Sequence, residues 1–217
     1  MPAIDFSTHD PQFTPEQEQQ CTRIVAGVRA LNAKIVRLGG SLEALTSTGD
    51  QIETLLASLD DVTQTRSMES YRFAFDLDRP NDVIPFNPAT GSFNPLSPEL
   101  DMKVEGNRLV TQCTFSNCYE SAPDTVQGGM VAAVYDQLLA YATMVAGVTG
   151  PTLWLRVAYL KPTPINEPLR FECEVQPSDG KKYTATGCCY RGDEKISEAE
   201  ALMLASYEIE LKGAQDV

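Results

Sequence analysis

The stretch that decides the fold is Tyr119-Glu-Ser-Ala-Pro-Asp-Thr-Val-Gln-Gly-Gly-Met-Val-Ala-Ala-Val-Tyr-Asp136, which leads into an apolar run that ends near Ala146. From Gly128 onward, apolar residues lie on nearly every side of a helix, which is typical of a helix enclosed by other elements. Runs of alternating apolar and polar residues surround this segment, at 108–115, 152–160, 169–176, 183–190 and 196–209. Such alternation predicts half-buried strands. Because the last four runs are joined by short links, they predict an antiparallel sheet that meanders by hairpins around the helix.

Two further regions precede this domain. Residues 1–70 predict a helical hairpin: Thr14-Pro15-Glu16-Gln17 is a capping box, an apolar stripe runs from Ile24 to Leu38, and Gly39-Gly40 ends the first helix. A second helix is predicted from about 41 to 62, with a break near Thr48-Gly49-Asp50. Residues 71–100 are rich in proline and asparagine and predict a long loop that wraps the domain at 101–217.

Composition excludes several classes of function. The 217 residues include 30 acids and 17 bases, which gives a formal charge of −13 and disfavours binding to nucleic acid or to an anionic membrane. The first ten residues show no signal peptide, so a cytoplasmic protein is expected. The single histidine, His9, lies in a polar stretch, which leaves no imidazole for a histidine-based triad or a histidine-rich metal site. Any chemistry is therefore expected to use a carboxylate and no metal.

One carboxylate stands out in the central helix. Asp136 is the only acid between Asp124 and Glu167, and it lies about two turns after Gly128-Gly129. Two glycines at a helix start leave backbone N–H groups bare, and these favour developing negative charge. Asp136 is then either a general base or nucleophile near an oxyanion site, or a structural group that hydrogen-bonds to a strand or to a neighbouring subunit. The residues alone leave both interpretations open.

The quoted stretch, followed by Thr152-Leu-Trp-Leu-Arg-Val-Ala-Tyr-Leu-Lys-Pro-Thr-Pro164, resembles the hotdog-fold acyl-CoA thioesterases. The most similar branch is the phenylacetate-pathway type, whose signature is His-Gly-Gly, an acid on the central helix, and a strand that ends in Tyr-x-x-Pro-x-Pro. The resemblance covers roughly residues 101–210. It implies an α+β hotdog fold, an antiparallel sheet wrapped around a long central helix, to which the N-terminal helical hairpin is an extension.

The resemblance also implies the roles of individual residues. Asp136 matches the catalytic acid, and Gly128 matches the glycine whose N–H polarises the thioester carbonyl. Thr152 falls where the family places a Ser or Thr that holds the water, usually from the partner subunit. Gln127 replaces the motif histidine, and Ser121 stands where some relatives have Asn or Asp. A glutamine amide still donates hydrogen bonds but cannot titrate.

The implied partners are an acyl-CoA substrate and a second copy of the chain. The resemblance implies a homodimer with the sheets joined edge to edge, or a tetramer of two such dimers. Coenzyme A would be part of the substrate and not a cofactor. Gly129 lies beside the proposed oxyanion site, and Arg156 and Lys161 are candidates to hold the coenzyme A phosphates.

Two other functions remain open. Because of Gln127 and Ser121, the domain could be a non-catalytic hotdog module that binds an acyl-CoA or a hydrophobic ligand, or a dimerisation scaffold. A hotdog dehydratase or hydratase is disfavoured by the missing imidazole.

Overall fold

The computed structural model describes residues 13–60 and 74–213, so His9 lies outside the described residues. The helices are α1 (Pro15–Ile35), α2 (Leu42–Ser58) and α3 (Gly128–Val145). The strands are β1 (Ala74–Asp76), β2 (Glu99–Glu105), β3 (Arg108–Thr114), β4 (Glu120–Ala122), β5 (Thr125–Val126), β6 (Val148–Thr149), β7 (Thr152–Tyr159), β8 (Pro168–Pro177), β9 (Lys182–Arg191), β10 (Glu194–Leu204), β11 (Tyr207–Glu208) and β12 (Glu210–Lys212). Short 3-10 turns lie at Pro80–Asp82 and Asn117–Tyr119.

Six strands form an antiparallel sheet in the order β2-β3-β8-β9-β10-β7, and α3 packs on one face of it. The alternation predicted for β8 is confirmed, since Leu169 and Phe171 are fully buried. The helix presents Tyr135 to this face, and its ring meets that of Phe171 edge-on with centroids 5.1 Å apart. The apolar side chains of helix and sheet therefore form a single core, as the sequence predicts.

The position of β7 differs from the expected meander. β8, β9 and β10 follow one another by hairpins, but β7 pairs with β10 and not with β8. The link at 160–167 therefore crosses the sheet, and β7 becomes an edge strand. This strand carries exposed apolar residues, among them Leu153 and Trp154. The sheet also gains β2, whose hairpin with β3 turns at Gly106, where φ is +63°.

The described part of the predicted loop, residues 74–100, contacts α3. Asn87 Nδ2 donates to Gln137 Oε1 at 2.8 Å, and Thr90 Oγ1 donates to the hydroxyl of Tyr141 at 3.2 Å. Two features of this segment were not predicted. β1 pairs in parallel with β12, and Leu96 is 61% exposed.

The N-terminal helices only partly match their prediction. The capping box at the start of α1 is confirmed, with Gln17 N donating to Thr14 Oγ1 at 3.3 Å. The predicted break in α2 is wrong, because this helix runs without interruption from its Ser41 cap. α2 buries no residue, so the two apolar stripes do not bury each other. No helix among the described residues is both long and apolar enough to span a membrane.

A different face of α1 holds this helix to the domain. Val25 is buried, and Arg29 Nη2 donates to the carbonyl oxygens of Gly91 and Asn94, each at 3.1 Å. Ile24, which belongs to the predicted stripe, is 56% exposed. The hydrogen bonds from the Arg29 guanidinium to loop carbonyls thus hold α1 at this point, and Ile24 of the predicted apolar stripe does not.

Candidate active site

The edge strand β7 touches α3 at two points. Thr152, at its first residue, lies beside Asp136, and Tyr159, at its last, lies beside Gly128. The strand therefore runs antiparallel to the helix, and its two ends reach the two parts of the candidate site. Each contact joins a side-chain hydroxyl to a group on the helix.

The Asp136 carboxylate is hydrogen-bonded through only one of its two oxygens among the described residues. Thr152 Oγ1 donates to Asp136 Oδ1 at 2.8 Å, while Oδ2 has no hydrogen-bond partner among the described residues. The carboxylate is half-buried, next to the fully buried Tyr135. It is therefore oriented by a neighbour, yet one oxygen stays free to accept a proton. The structural and the functional interpretations of Asp136 are compatible in this geometry.

Gln127 is the N-cap of α3. Its Oε1 accepts a hydrogen bond from Met130 N at 2.9 Å, and its own backbone N–H donates to the carbonyl of Tyr119 at 2.8 Å. Because Oε1 is occupied by the helix, the amide NH₂ group is the part of the side chain left for a ligand. The N–H groups of Gly128 and Gly129 meet no acceptor within residues 13–60 and 74–213. The start of α3 thus presents several unsatisfied donors.

Tyr159 is the tyrosine of the Tyr-x-x-Pro-x-Pro signature, to which the sequence assigned no role. Its hydroxyl donates to the carbonyl oxygen of Gly128 at 2.6 Å, and a Cβ at position 128 would lie 3.3 Å from its ring. Burial raises the pKa of Tyr159, which keeps the hydroxyl protonated as a donor. The signature marks the tyrosine at the end of the strand that begins at Thr152, but it does not indicate the contact with Gly128.

Gly128 and Asp136 do not meet within one chain. Eight residues of helix separate them by about 12 Å, at 1.5 Å per residue. A donor and a base that act on the same carbonyl group must each lie within hydrogen-bond distance of the reacting atoms. Thr152, expected from the partner subunit, instead contacts Asp136 of its own chain. One chain therefore contains two half-sites, one at each end of β7.

Of the remaining candidates, Gly129 belongs to the half-site at the start of α3, and the other three lie outside both half-sites. Ser121 on β4 is exposed, and Gly129 is exposed beside the Gln127 side chain. Lys161 forms an ion pair with Glu194, and the Arg156 guanidinium lies 6.0 Å from the centre of the Trp154 ring. None of them is hydrogen-bonded to Asp136 in the described part of the chain.

Comparison with solved structures finds the same architecture. A thioesterase superfamily protein aligns over 85% of this chain and 94% of its own, with a TM-score of 0.74 and 23% identity. The chain has the hotdog fold. This agreement confirms the fold that the sequence resemblance implied, and at this identity it shows the fold alone.

Two smaller proteins match about half of this chain. A hypothetical thioesterase from Streptococcus pneumoniae, solved with coenzyme A, has a TM-score of 0.48 and 16% identity over 51% of this chain and 91% of its own. The E. coli PaaI protein of the phenylacetic acid degradation operon has a TM-score of 0.47 and 12% identity over 52% and 83%. At these TM-scores, the two matches give no evidence on the fold beyond that of the first match. No family model and no curated protein matches the chain.

Proposed function

We propose that the protein is an acyl-CoA thioesterase in which Asp136 is the general base or nucleophile. The observation that supports this most is the Asp136 carboxylate, fixed through Oδ1 by Thr152 and free at Oδ2. A base that is oriented by a neighbour but still reachable is what general acid–base catalysis requires. The fold agrees with this chemistry without establishing it.

Hydrolysis would proceed through a tetrahedral intermediate. Asp136 Oδ2 takes a proton from water while the water oxygen bonds to the thioester carbon. The carbonyl oxygen becomes negatively charged and accepts a hydrogen bond from the Gly128 N–H. When the carbon–sulfur bond breaks, the thiolate of coenzyme A takes the proton back from Asp136. If Asp136 attacks the carbon directly, an anhydride forms first and water then hydrolyses it.

The two half-sites would come together in a homodimer. In this proposal Asp136 and Thr152 of one copy face Gly128 of the other. The separation of about 12 Å between Gly128 and Asp136 within one chain, the length of eight helical residues, then no longer keeps the donor from the base. The β7 edge, with its exposed Leu153 and Trp154, supplies the surface on which two sheets would join. Tetramers would be dimers of this unit.

Gln127 and the basic residues would bind the substrate and not react with it. The Gln127 NH₂ group would donate to the thioester carbonyl beside Gly128 and Gly129. Arg156 would be available to a coenzyme A phosphate, whereas Lys161 would have to leave Glu194 first. Ser121 would lie at the outer rim of the site.

Gln127 also favours a second candidate, a non-catalytic module that binds an acyl-CoA. An amide cannot pass a proton, so Gln127 cannot share proton transfer with Asp136. If a second proton-transfer group is required, the domain binds an acyl-CoA without turnover.

The test is hydrolysis of a panel of acyl-CoAs by the wild type and by Asp136→Asn, with thermal stabilisation by coenzyme A measured in parallel. The proposal expects turnover by the wild type and a loss of about 100-fold or more in the variant. Equal turnover by both proteins would contradict the role of Asp136. Stabilisation without turnover by the wild type would select the binding module.

A further inference from the structure

A cleft outside the half-sites lies between α1, the 71–100 loop and the start of α3. It encloses about 660 Å³, within the range of roughly 300–1,000 Å³ typical of small-molecule pockets. Ile35 and Val36 form one wall, Leu96 forms the rim, and Met130 and Ala133 form the floor. Most of its surface is apolar, although it is open to solvent.

The cleft explains apolar residues that otherwise have no packing partner. Val36 is 55% exposed and Leu96 is 61% exposed, although both lie on segments fixed to the domain. Arg29 fixes α1 to the loop, and Tyr119 fixes the loop by donating from its hydroxyl to Leu96 O at 2.9 Å. Both walls are therefore fixed to the domain by polar contacts.

The cleft reaches the residue that precedes the proposed oxyanion donor. Gln127 lines it, and the next residue along the chain is Gly128. A thioester carbonyl bound at the Gly128 N–H would therefore have its acyl group at the mouth of the cleft. Met130 and Ala133 follow at intervals of three residues, so they lie on the same side of α3 as Gln127.

The charge of the lining selects the chemical class of the ligand. Glu120 is a lining residue, and no lysine or arginine is among the described residues that line the cleft. An anionic group, such as a coenzyme A phosphate or a terminal carboxylate, would be repelled there. An uncharged hydrocarbon chain would instead bury the exposed faces of Val36 and Leu96.

We propose that this cleft is the acyl-binding pocket and that it takes uncharged medium-length acyl chains, with α1 of the N-terminal extension as one wall. The inference rests on the proposed function, since it places the thioester at Gly128. It adds to that function a substrate class and a role for the extension.

The kinetic test compares acetyl-, hexanoyl-, octanoyl- and decanoyl-CoA. The expected kcat/KM rises about fourfold per methylene until the cleft is full, the factor that corresponds to ~0.8 kcal/mol for each buried CH₂. Val36→Gln lowers kcat/KM for decanoyl-CoA about tenfold and leaves acetyl-CoA unchanged. Ile24→Gln is the matched control, because Ile24 is equally exposed on α1 but outside the cleft. Suberyl-CoA, which adds a terminal carboxylate to the octanoyl chain, is expected to be at least tenfold worse than octanoyl-CoA.

A binding test works even if the protein does not hydrolyse thioesters. Cys118 lines the cleft and is half-buried, and Cys188 on β9 is half-buried away from it. The non-hydrolysable thioether decyl-coenzyme A is expected to slow alkylation of Cys118 at least fivefold and to leave Cys188 unchanged, whereas coenzyme A alone protects neither.

The outcomes separate the two proposals. Hydrolysis with the same chain-length dependence in Val36→Gln and Ile24→Gln overturns the acyl pocket and leaves the thioesterase intact. Failure of every acyl-CoA to react overturns the thioesterase, while protection of Cys118 by decyl-coenzyme A still supports the pocket. Equal labelling of Cys118 with and without decyl-coenzyme A overturns the pocket.

Discussion

The hydroxyl of Thr152 lies 2.8 Å from Oδ1 of Asp136 and donates to it within the same chain. A hydrogen bond to a charged group is worth about 1.5–3 kcal/mol, so its loss should misplace the carboxylate. We expect Thr152→Val to lower kcat by about 10- to 100-fold, while Thr152→Ser, which keeps the hydroxyl, stays close to wild type. Steady-state kinetics with one acyl-CoA checks this. Equal kcat values for the two variants would show that the contact has no catalytic role.

Two substitutions of Gln127, the N-cap of α3, distinguish an effect on stability from an effect on activity. Gln127→Ala removes the side-chain acceptor for Met130 N, so we expect it to cost about 1 kcal/mol of unfolding free energy. Gln127→Glu keeps an acceptor and adds a charge that the helix dipole favours, so stability is retained or rises. That same charge would repel the developing oxyanion, and kcat/KM should fall at least tenfold. Urea unfolding and kinetics on the same samples measure both effects. A fully active Gln127→Glu would argue against an oxyanion site beside this residue.

The Tyr159 hydroxyl polarises the peptide group that joins Gly128 to Gly129. Tyr159→Phe keeps the ring over Gly128 and removes only the hydrogen bond to its carbonyl. The N–H of this peptide group is that of Gly129, next to the proposed Gly128 donor, and the same hydrogen bond fixes the Gly128 backbone. We expect kcat to fall about tenfold with KM nearly unchanged, since the effect would be on the transition state. Tyr183→Phe, in a half-buried tyrosine on β9, serves as the control. A change in KM alone would instead indicate a role in substrate binding.

Buried thiols make the fold sensitive to alkali. Burial raises the pKa of Cys113 and Cys173, and it raises the pKa of Cys189 to about 12. These groups stay protonated in the folded state but ionise in the unfolded chain above about pH 8.5. The folded state then binds more protons, so the free energy of unfolding falls as pH rises, by up to about 1.4 kcal/mol per pH unit for each thiol.

Urea unfolding between pH 8 and 10 measures this slope. Cys189→Ala should make the slope shallower, by up to about 1.4 kcal/mol per pH unit, because this thiol no longer titrates. The absolute stability of the variant can fall through the cavity it leaves, but the slope is independent of that loss. A slope that is the same in the variant would contradict the assignment.

The elements with local signals were predictable from the sequence. The Thr14–Gln17 capping box lies within three residues, and the alternation at Leu169 and Phe171 lies within one strand. Gly128-Gly129 and Asp136 were also visible, because an acid in an apolar helix stands out without any tertiary information. Local sequence determines these features, so a pattern is enough to find them.

The features that depend on tertiary pairing were not predictable. The eight residues at 160–167 join β7 to β8. A link of this length permits β7 to pair with β8 as a hairpin or to lie apart from it and pair with β10, and packing on α3 decides between the two. Tyr159 meets a carbonyl 31 residues away, and Arg29 meets carbonyls 62 and 65 residues away. Backbone carbonyls are acceptors at every residue, so nothing in the sequence marks those particular partners.

Completion of the site by a second copy is the central claim, and two matched variants of Gly128 allow it to be tested. Gly128→Pro removes the N–H at the first position of α3, where proline fits the helix, and the extended Gln127 before it is compatible with a following proline. Gly128→Ala adds the same Cβ beside Tyr159 but keeps the N–H. We expect the proline variant to lose about 100-fold or more in kcat and the alanine variant to lose far less.

The most direct measurement is the activity of a heterodimer that joins one Asp136→Asn chain to one Gly128→Pro chain, isolated through two different affinity tags. Both parent homodimers should be nearly inactive. The heterodimer contains one intact pairing of Asp136 with the partner's Gly128, so it should recover about half of the wild-type kcat. A heterodimer as inactive as its parents, or a chain that forms no dimer at all, would contradict a site shared between two copies.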